Sequence, residues 1–457
     1  MAEVNYETLA APQPDGSWNG VWSQNFTLSN GEYAIAGVTV SELAKTFDTP
    51  SFILDVADMR ARAQAWSVAM TNAFAGLGGA EVYYAGKAFL SKFLAKEMYA
   101  AGLHLDTASA GELQVALAAG VPGSACGLHG NNKSEAEIEL ALDAGIAHIV
   151  IDSISEISLV NEIAQRKGVS APVYLRLTTG VHAGGHEFIA TAHEDQKFGL
   201  SISTGLAQAA ILQVSAAPAL ELRGLHSHIG SQIMATAGFV EAARIILAQR
   251  AWAASQGIMI PEIDLGGGYG VRYTAADAVP PKPEVFAQAL AEVVAVHCAE
   301  TGLPAPLVSI EPGRSIIAPA MFTLYRVGTV KSVAVDDGQR LYVSVDGGMS
   351  DNIRPALYGA NYTAALVSRS SKAPLVRARI VGKHCESGDI VVHNLALPED
   401  MQRGDLVAVP VTGAYGYAMS SNYNLLTKPN VVAVESGQAR EILRRQTVTD
   451  LLAYDMD

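Results

Sequence analysis

Lys87 is the residue whose position most directly suggests covalent chemistry. It follows a short apolar run, 81–85, that is typical of a β-strand. A lysine at the end of a buried strand is partly desolvated, which lowers the pKa of its amine and makes the amine more nucleophilic. Such an amine suits Schiff-base chemistry, although a lysine at a strand end can equally well reach solvent.

Three consecutive glycines and a serine could together bind a phosphate group. The backbone N–H groups of Gly266, Gly267 and Gly268 can approach a phosphate without obstruction from side chains. Ser231 could add a hydroxyl donor. Turns also use runs of glycine, so this run by itself is a weak indication.

Four further polar residues each allow a structural and a chemical interpretation. Glu311 and Arg314 could form an ion pair, and His228 could be a buried histidine with satisfied hydrogen bonds. Cys385 could be a small core residue, but its neighbours in 384–389 (HCESGD) are unusually polar for that role. No second cysteine stands near it at a zinc-ligand spacing, so zinc is not expected.

Strand-like and helical segments alternate through the middle of the chain, which predicts the elements that position these residues. The predicted strands are 81–85, 103–107, 126–129, 148–152, 173–177, 222–227, 263–265 and 307–310. Alternation indicates parallel strands joined by right-handed crossovers, and eight such units over roughly 250 residues fit an α/β fold, the (β/α)8 TIM barrel. An open doubly wound sheet is the alternative. We favour the barrel because only a closed barrel brings all the polar strand ends to one mouth.

From about residue 321 the pattern changes to strands with few helical intervals. It predicts a mainly antiparallel β domain over 321–457. The barrel is expected over 48–320. The sequence itself does not assign the N-terminal segment, 1–47, to either domain.

The composition predicts a soluble cytoplasmic protein. The chain of 457 residues has 31 basic and 45 acidic side chains, a net charge of −14, which disfavours nucleic acid and anionic membranes as partners. No apolar run approaches the ~18 residues that span a bilayer, and the first residues lack the pattern of a secretory signal. Its 3 cysteines argue against a disulfide framework.

Six ordered motifs resemble the fold-type III pyridoxal-phosphate decarboxylases, most closely the diaminopimelate decarboxylase family. The motifs are YAGKA at 84–88, HGNNKS at 129–134, HSHIGSQ at 226–232, EPGR at 311–314, CESGD at 385–389 and GAY at 413–415. The resemblance implies an alanine-racemase-like architecture, in which the N-terminal segment packs with the β domain. It also implies a homodimer whose active sites are shared between subunits.

The resemblance further implies that pyridoxal 5′-phosphate is the cofactor. Lys87 would carry it as a Schiff base, His228 would stack on its ring, and Glu311 would face the pyridine nitrogen. The remaining contacts to the cofactor are expected from Ser231, Gly266, Gly267, Gly268, Pro312, Gly313, Arg314 and Tyr415. Cys385, from the partner subunit, would deliver a proton, and a thiol is a competent acid near neutral pH.

The expected role of Glu311 favours decarboxylation over racemisation. A carboxylate near the ring nitrogen favours its protonated form. The protonated ring then accepts the electron pair that remains when CO2 departs. Fold-type III racemases that lack this carboxylate have a weaker electron sink.

The family resemblance also implies the substrate, meso-2,6-diaminopimelate, which would yield L-lysine and CO2 in the last step of lysine biosynthesis. This substrate has an amino-acid group at each end, so the distal carboxylate and ammonium must be held. The residues implied for substrate binding are Arg314, Arg354, Tyr358, Glu386 and Tyr415, with Glu386 on the distal amine.

Two alternatives remain open at this stage. Another diamino acid, such as ornithine or arginine, could be the substrate, but Arg354, Tyr358 and Glu386 argue against it. A protein that binds the cofactor without turnover would not need Cys385. Finally, the insertion 181–197 contains His182, His186 and His193, which we interpret as part of an active-site loop rather than a metal site.

Overall fold

The structure is a computed structural model that describes residues 9–183, 188–190, 197–335 and 338–457. The chain forms two compact units. The barrel unit comprises Arg62–Gly270 and Pro280–Arg314, and the sheet unit comprises Met1–Ala61, Val271–Val279 and Ser315–Asp457. Within the described ranges, no helix has the length and apolar character needed to cross a membrane.

Eight parallel strands close into a barrel. They are Ala80–Ala85, His104–Thr107, Cys126–Leu128, His148–Ile151, Ala171–Thr178, Leu220–His226, Glu262–Asp264 and Leu307–Ile310. Each strand pairs in parallel with the next one along the chain. The last also pairs with the first, with Val308 opposite Ala80 and Ile310 opposite Val82. This closure confirms the predicted TIM barrel and rules out the open sheet.

Helices alternate with these strands. Their bounds are Val56–Ala73, Lys92–Ala100, Ala110–Ala118, Glu135–Asp143, Ile154–Lys167, Leu206–Ala216, Ala237–Ser255, Pro283–Thr301 and Arg314–Ile317. Four of them begin directly after a serine, and its side chain accepts a hydrogen bond from a backbone N–H of the first turn: Ser91, Ser109, Ser134 and Ser153. Such caps satisfy N–H groups that have no partner inside the helix. These serine caps therefore define the residue at which each of these four helices begins after its loop.

The sheet unit is mostly antiparallel. Its main strands are Ser51–Asp55, Met321–Val335, Gly338–Val345, Ala365–Leu366, Leu375–Val381, Ile390–Pro398, Leu406–Pro410, Asn430–Glu435 and Gln438–Leu443. A small sheet, Phe26–Ser29, Glu32–Ile35 and Val38–Thr39, and three helices, Val40–Phe47, Arg354–Tyr358 and Val448–Leu452, complete it. The predicted antiparallel β domain is confirmed.

The N-terminal part of the chain contributes a central strand to this sheet. Ser51–Asp55 pairs antiparallel with Met321–Val335 and parallel with Asn430–Glu435. The predicted domains put this strand in the barrel, over 48–320, whereas the structure places it in the sheet unit. All five of its residues are buried. A short, fully buried apolar run carries no signal of which sheet it joins.

The predicted insertion is described only in part. Val181–Ala183 pairs antiparallel with Phe188–Ala190. The remainder, which includes His186 and His193, lies outside the described residues. Its expected role as an active-site loop stays a prediction.

Candidate active site

Lys87 lies just past the first barrel strand, in the short turn Gly86–Ala88. Gly86 and Ala88 are buried, but Lys87 itself is exposed. Lys87 is therefore more open to solvent in this chain than its position after a buried strand predicts. The turn buries its two flanking residues and leaves the exposed lysine at the end of the barrel where the strands finish.

The glycine run lies where three strand ends approach one another closely. An ideal Cβ would lie 2.3 Å from the Ser227 carbonyl oxygen at Gly266, and 2.3 Å from that of Glu311 at Gly267. At Gly268 it would lie 2.4 Å from the Gly230 carbonyl oxygen. These distances leave no room for a side chain. The packing of the strand ends therefore requires glycine here, whatever the run binds.

Two of the three N–H groups in this run already have protein acceptors. Gly266 donates to Asp264 Oδ1 at 2.7 Å, and Gly267 donates to His228 Nδ1 at 3.3 Å. The N–H of Gly268 makes no hydrogen bond within the part of the chain that the structure describes. Of the three N–H groups in this run, that of Gly268 is therefore the one that can donate a hydrogen bond to an anionic ligand.

We expect Gly267→Ala to lower the free energy of unfolding by roughly 1–3 kcal/mol, as for overpacked sites. The added methyl group would press on the Glu311 carbonyl, a backbone atom that cannot easily move. Urea denaturation measures this change. Gly76→Ala is the matched control, because a Cβ at Gly76 meets nothing within 4 Å. Equal stabilities for the two variants would contradict the packing argument.

Ser231 and Arg314 come together from the ends of the sixth and eighth strands. Arg314 Nη2 donates to Ser231 Oγ at 3.0 Å. Pro312 and Gly313, beside Arg314, are buried, and a Cβ at Gly313 would lie 2.9 Å from that of Ala85. A guanidinium and a hydroxyl at this position are suited to an anion such as phosphate.

His228 is half-buried at the same end of the barrel. Burial, together with the positive charge of Lys87, lowers the pKa of its imidazole to about 3. The ring is therefore neutral near pH 7. A neutral aromatic ring can pack against a flat ligand without the cost of burying a charge.

A cluster of buried polar side chains lies around Glu311. Glu311 is 2% exposed. Its Oε1 is 3.0 Å from His226 Nε2 and 3.3 Å from His129 Nε2. His129 Nε2 also lies 3.1 Å from Asp106 Oδ1. We call these four residues the Glu311 cluster.

Burial and mutual repulsion separate the carboxyl groups into charged and neutral ones. Burial raises the pKa of Asp106 and of Asp264 well above the usual range, and the charge of Glu311 raises both further. Burial alone would also raise the pKa of Glu311, but His129 and His226 beside it bring it well below its usual value. Glu311 is thus the carboxyl that stays ionised.

The sequence alone predicts no role for His129, His226 or Asp106, although each stands at or next to the end of a barrel strand. Within the described residues, His129, His226 and Glu311 also form a group that could hold a metal ion, with ligand atoms within 4.8 Å of one another. Both imidazoles lie close to one oxygen of Glu311. Since His226 hydrogen-bonds Glu311 directly, we do not interpret the group as a metal site, and the expected absence of a metal stays a prediction.

In the sheet unit, Arg354 is a buried arginine held by tyrosines. It is 8% exposed, donates to the Tyr362 hydroxyl and lies 4.8 Å from the centre of the Tyr273 ring. Across the described part of the chain, no carboxylate lies within ion-pair distance of it. A buried guanidinium without a carboxylate partner is suited to bind an anionic ligand. Tyr358, at the end of the same helix, is 64% exposed.

Cys385 and Glu386 lie in an exposed turn of the sheet unit. The Glu386 carboxylate accepts hydrogen bonds from the backbone N–H of Gly388 at 3.1 Å and from Ser387 Oγ at 3.2 Å. These bonds lower its pKa, so it is ionised near pH 7. Tyr415 is half-buried after the strand Leu406–Pro410, with a positive φ of 60°.

Comparison with known proteins identifies the class defined by this barrel and its polar mouth. A family model described as "Pyridoxal-dependent decarboxylase, pyridoxal binding domain" matches residues 56–318. Diaminopimelate decarboxylase of Mycobacterium tuberculosis (strain H37Rv) is 49% identical over 443 residues, which cover 95% of this chain and 98% of that protein. The Bacillus subtilis enzyme of that name is 43% identical over 428 residues, 93% and 96% of the two chains.

A solved structure extends this similarity to the fold. Diaminopimelate decarboxylase from M. jannaschii, in complex with L-lysine, is 29% identical, with a TM-score of 0.88 over 95% of this chain and 98% of that one. The chain belongs to the diaminopimelate decarboxylase family, within the pyridoxal-dependent decarboxylases.

The described residues fit pyridoxal phosphate, the cofactor of this family. Arg314 and Ser231 provide donors for a phosphate group, and the exposed Lys87 provides an amine. The residue that most specifically fits this cofactor is Glu311, a deeply buried carboxylate that its surroundings keep ionised. A protonated ring nitrogen is the kind of group that such a carboxylate pairs with.

Proposed function

We propose that this chain catalyses the decarboxylation of meso-2,6-diaminopimelate to L-lysine and CO2, the last step of lysine biosynthesis. The observation that supports this substrate is the burial of Arg354, whose guanidinium has no carboxylate partner among the described residues. Of the diamino acids considered, only diaminopimelate brings a distal carboxylate to such a group. Relatives at 43–49% identity bear the corresponding name.

When bound, pyridoxal phosphate supplies the electron sink that accepts the electron pair left by departing CO2. Lys87 would hold it covalently, Glu311 would keep its ring nitrogen protonated, and the neutral ring of His228 would pack on its face. Its phosphate would lie among residues that supply donors or leave space for it: Ser231, Gly266, Gly267, Gly268, Pro312, Gly313, Arg314 and Tyr415.

Cys385 would deliver the proton that replaces CO2, acting in the site of a partner subunit. Its exposure within its own chain leaves the thiol accessible for that role. A homodimer is further supported by exposed apolar and aromatic side chains in the sheet unit, among them Tyr358 and Leu425, the latter 74% exposed.

Substrate recognition would come from both charged ends. Arg354, with Arg314 and Tyr358, would bind the distal carboxylate, and Tyr415 would also contact the substrate. The ionised Glu386 would bind the distal ammonium, because opposite charges favour that pairing. Substrates that lack the distal carboxylate would leave Arg354 buried without an anion.

We expect Arg354→Ala to lower kcat/KM for meso-diaminopimelate by at least ~100-fold, the effect of roughly 3 kcal/mol. Arg354→Lys should recover only part of the loss, because an ammonium cannot bind a carboxylate bidentately. Arg379→Ala is the matched control, since Arg379 also lies over a tyrosine ring, Tyr342. Steady-state kinetics and melting temperature are measured on the same preparations.

Normal kinetics for Arg354→Ala with a large fall in melting temperature would contradict the proposed role. That result would mean that Arg354 only stabilises the packing around Tyr273 and Tyr362. Cofactor affinity should stay nearly unchanged, because Arg354 is assigned to the substrate.

A CO2-release assay with meso-diaminopimelate, ornithine and arginine tests the proposed function directly. Release from meso-diaminopimelate alone is the expected result. Faster release from ornithine or arginine would favour the alternative substrates, and cofactor binding without release would indicate a binding protein.

We also propose that the protein acts in the cytoplasm. All three cysteines, Cys126, Cys298 and Cys385, are free thiols, which agrees with a reducing compartment. The net charge of −14 disfavours nucleic acid as a partner.

A further inference from the structure

Glu311 depends on neighbours to which the proposed function gives no role. It is 2% exposed, and a carboxylate this deeply buried takes up a proton unless donors stabilise its charge. Among the described residues, one imidazole hydrogen-bonds it and a second lies close to it, each from another barrel strand. His226 Nε2 lies 3.0 Å from Glu311 Oε1, and His129 Nε2 lies 3.3 Å from the same oxygen.

His226 gives Glu311 a single N–H and no positive charge. Burial lowers the pKa of His226, and the charges of Arg176 and Lys87 lower it further, against the opposing effect of Glu311. The ring is therefore neutral near pH 7 and carries one N–H. The short distance to Glu311 places that N–H on Nε2. His226 Nδ1 is buried and has no hydrogen-bond partner within the described ranges, which agrees with its being the nitrogen without a proton.

His129, unlike His226, lies between Glu311 and a second carboxyl group, that of Asp106. Its Nε2 lies 3.1 Å from Asp106 Oδ1 as well as 3.3 Å from Glu311 Oε1, yet Asp106 Oδ1 has no hydrogen-bond partner within the described ranges. The hydrogen bond from His226 to Glu311 is shorter than either of these contacts of His129. His226 is thus the neighbour whose removal changes the environment of Glu311 most directly.

We infer that His226 is a positioning residue: its Nε2–H holds the buried Glu311 ionised and bonds Oε1, which leaves Oε2 for the ring nitrogen of the cofactor. The inference rests on the proposed function, because the cofactor supplies the ring nitrogen. Without this donor, Glu311 would take up a proton more readily and lose the charge that keeps the ring nitrogen protonated. His226 would then act on the reaction only through Glu311.

The test uses holoenzyme reconstituted with pyridoxal phosphate that is isotopically labelled at its ring nitrogen. The NMR shift of that nitrogen reports its protonation without any turnover. In His226→Leu the signal should move towards the unprotonated position. In His226→Gln it should stay near that of the wild type, because the amide can offer an N–H at a similar reach.

Kinetics on the same preparations should separate positioning from binding. His226→Leu should lower kcat on the order of 10- to 100-fold, as for other supporting hydrogen bonds to a functional ligand, with KM nearly unchanged. His226→Gln should recover most of the loss. His148→Leu is the matched control: His148 is also a buried barrel histidine, but it stacks on Tyr174 with ring centres 3.8 Å apart and does not hydrogen-bond Glu311.

An unchanged ring-nitrogen signal in His226→Leu would overturn the inference. If that variant does not fold, His226→Gln is compared with His226→Asn, whose shorter amide cannot reach Glu311, and equal signals would overturn it. A transition metal retained stoichiometrically by the wild-type holoenzyme and lost in His226→Gln would also overturn it, since His226 would then be a ligand. A wild-type protein that releases no CO2, but shows the His226-dependent signal, would refute the proposed function and leave this inference supported.

Discussion

Lys87→Ala should abolish decarboxylation of meso-diaminopimelate, with kcat/KM lower by on the order of 10⁴-fold or more, as for the loss of other covalent catalytic groups. The structure places this exposed residue just past the first barrel strand. No other side chain in the Gly86–Ala88 turn could form a covalent bond to an aldehyde. Borohydride reduction of the wild-type holoenzyme, followed by peptide mapping, should place the cofactor on Lys87.

Lys92→Ala is the matched control for this variant. Lys92 is an exposed lysine that begins the helix directly after the Lys87 turn, and its replacement should leave the kinetics unchanged. An adduct on any lysine other than Lys87 would refute the assignment, as would a Lys87→Ala protein with activity near that of the wild type.

Cys385→Ala should lower kcat by roughly 10²- to 10⁴-fold, the usual contribution of a general acid. The proposed sharing of sites gives this variant a second, sharper test. When Lys87→Ala and Cys385→Ala subunits are exchanged, each mixed dimer should contain one site with neither change. Equal mixing should then restore about a quarter of the wild-type activity by random pairing.

Cys298→Ala is the control for the loss of a thiol. Cys298 is a half-buried cysteine in the barrel helix Pro283–Thr301, and we expect no loss of kcat there. If labelled subunits prove to exchange but no activity returns, Lys87 and Cys385 act in the same chain, and the shared site is wrong.

The barrel could be predicted from the sequence because its signals are local. Each strand is a short apolar run, and the segment after it often begins with a capping serine such as Ser91 or Ser134. The predicted strand 81–85, for instance, is Ala80–Ala85 in the structure. Polar residues after the strand ends then indicated which end of the barrel carries the chemistry.

The Glu311 cluster could not be predicted in the same way. His129, His226 and Glu311 lie at the ends of three different strands, far apart in sequence, and periodicity does not show which of their side chains meet. The identity of the ionised carboxyl depends on burial and on neighbouring charges, which are properties of the folded barrel.

Two features of the site differ from what the residue types alone predict. Lys87 is exposed, whereas its neighbours in the turn, Gly86 and Ala88, are buried. The glycine run was expected to open its N–H groups to a phosphate, but Gly266 and Gly267 already donate to Asp264 and His228. The exposure of Lys87 and the hydrogen bonds of the two glycines depend on where the folded backbone lies, which residue types alone do not specify.

The placement of Ser51–Asp55 has a consequence for how the protein is made. During synthesis this strand leaves the ribosome early, but its two sheet partners, Met321–Val335 and Asn430–Glu435, follow only after the whole barrel. Until then both edges of an apolar strand lack backbone partners, a state that favours association with other chains. Nascent chains stalled between the barrel and the last strands should therefore bind chaperones more strongly than full-length chains, because Ser51–Asp55 has no sheet partners until those strands are synthesised.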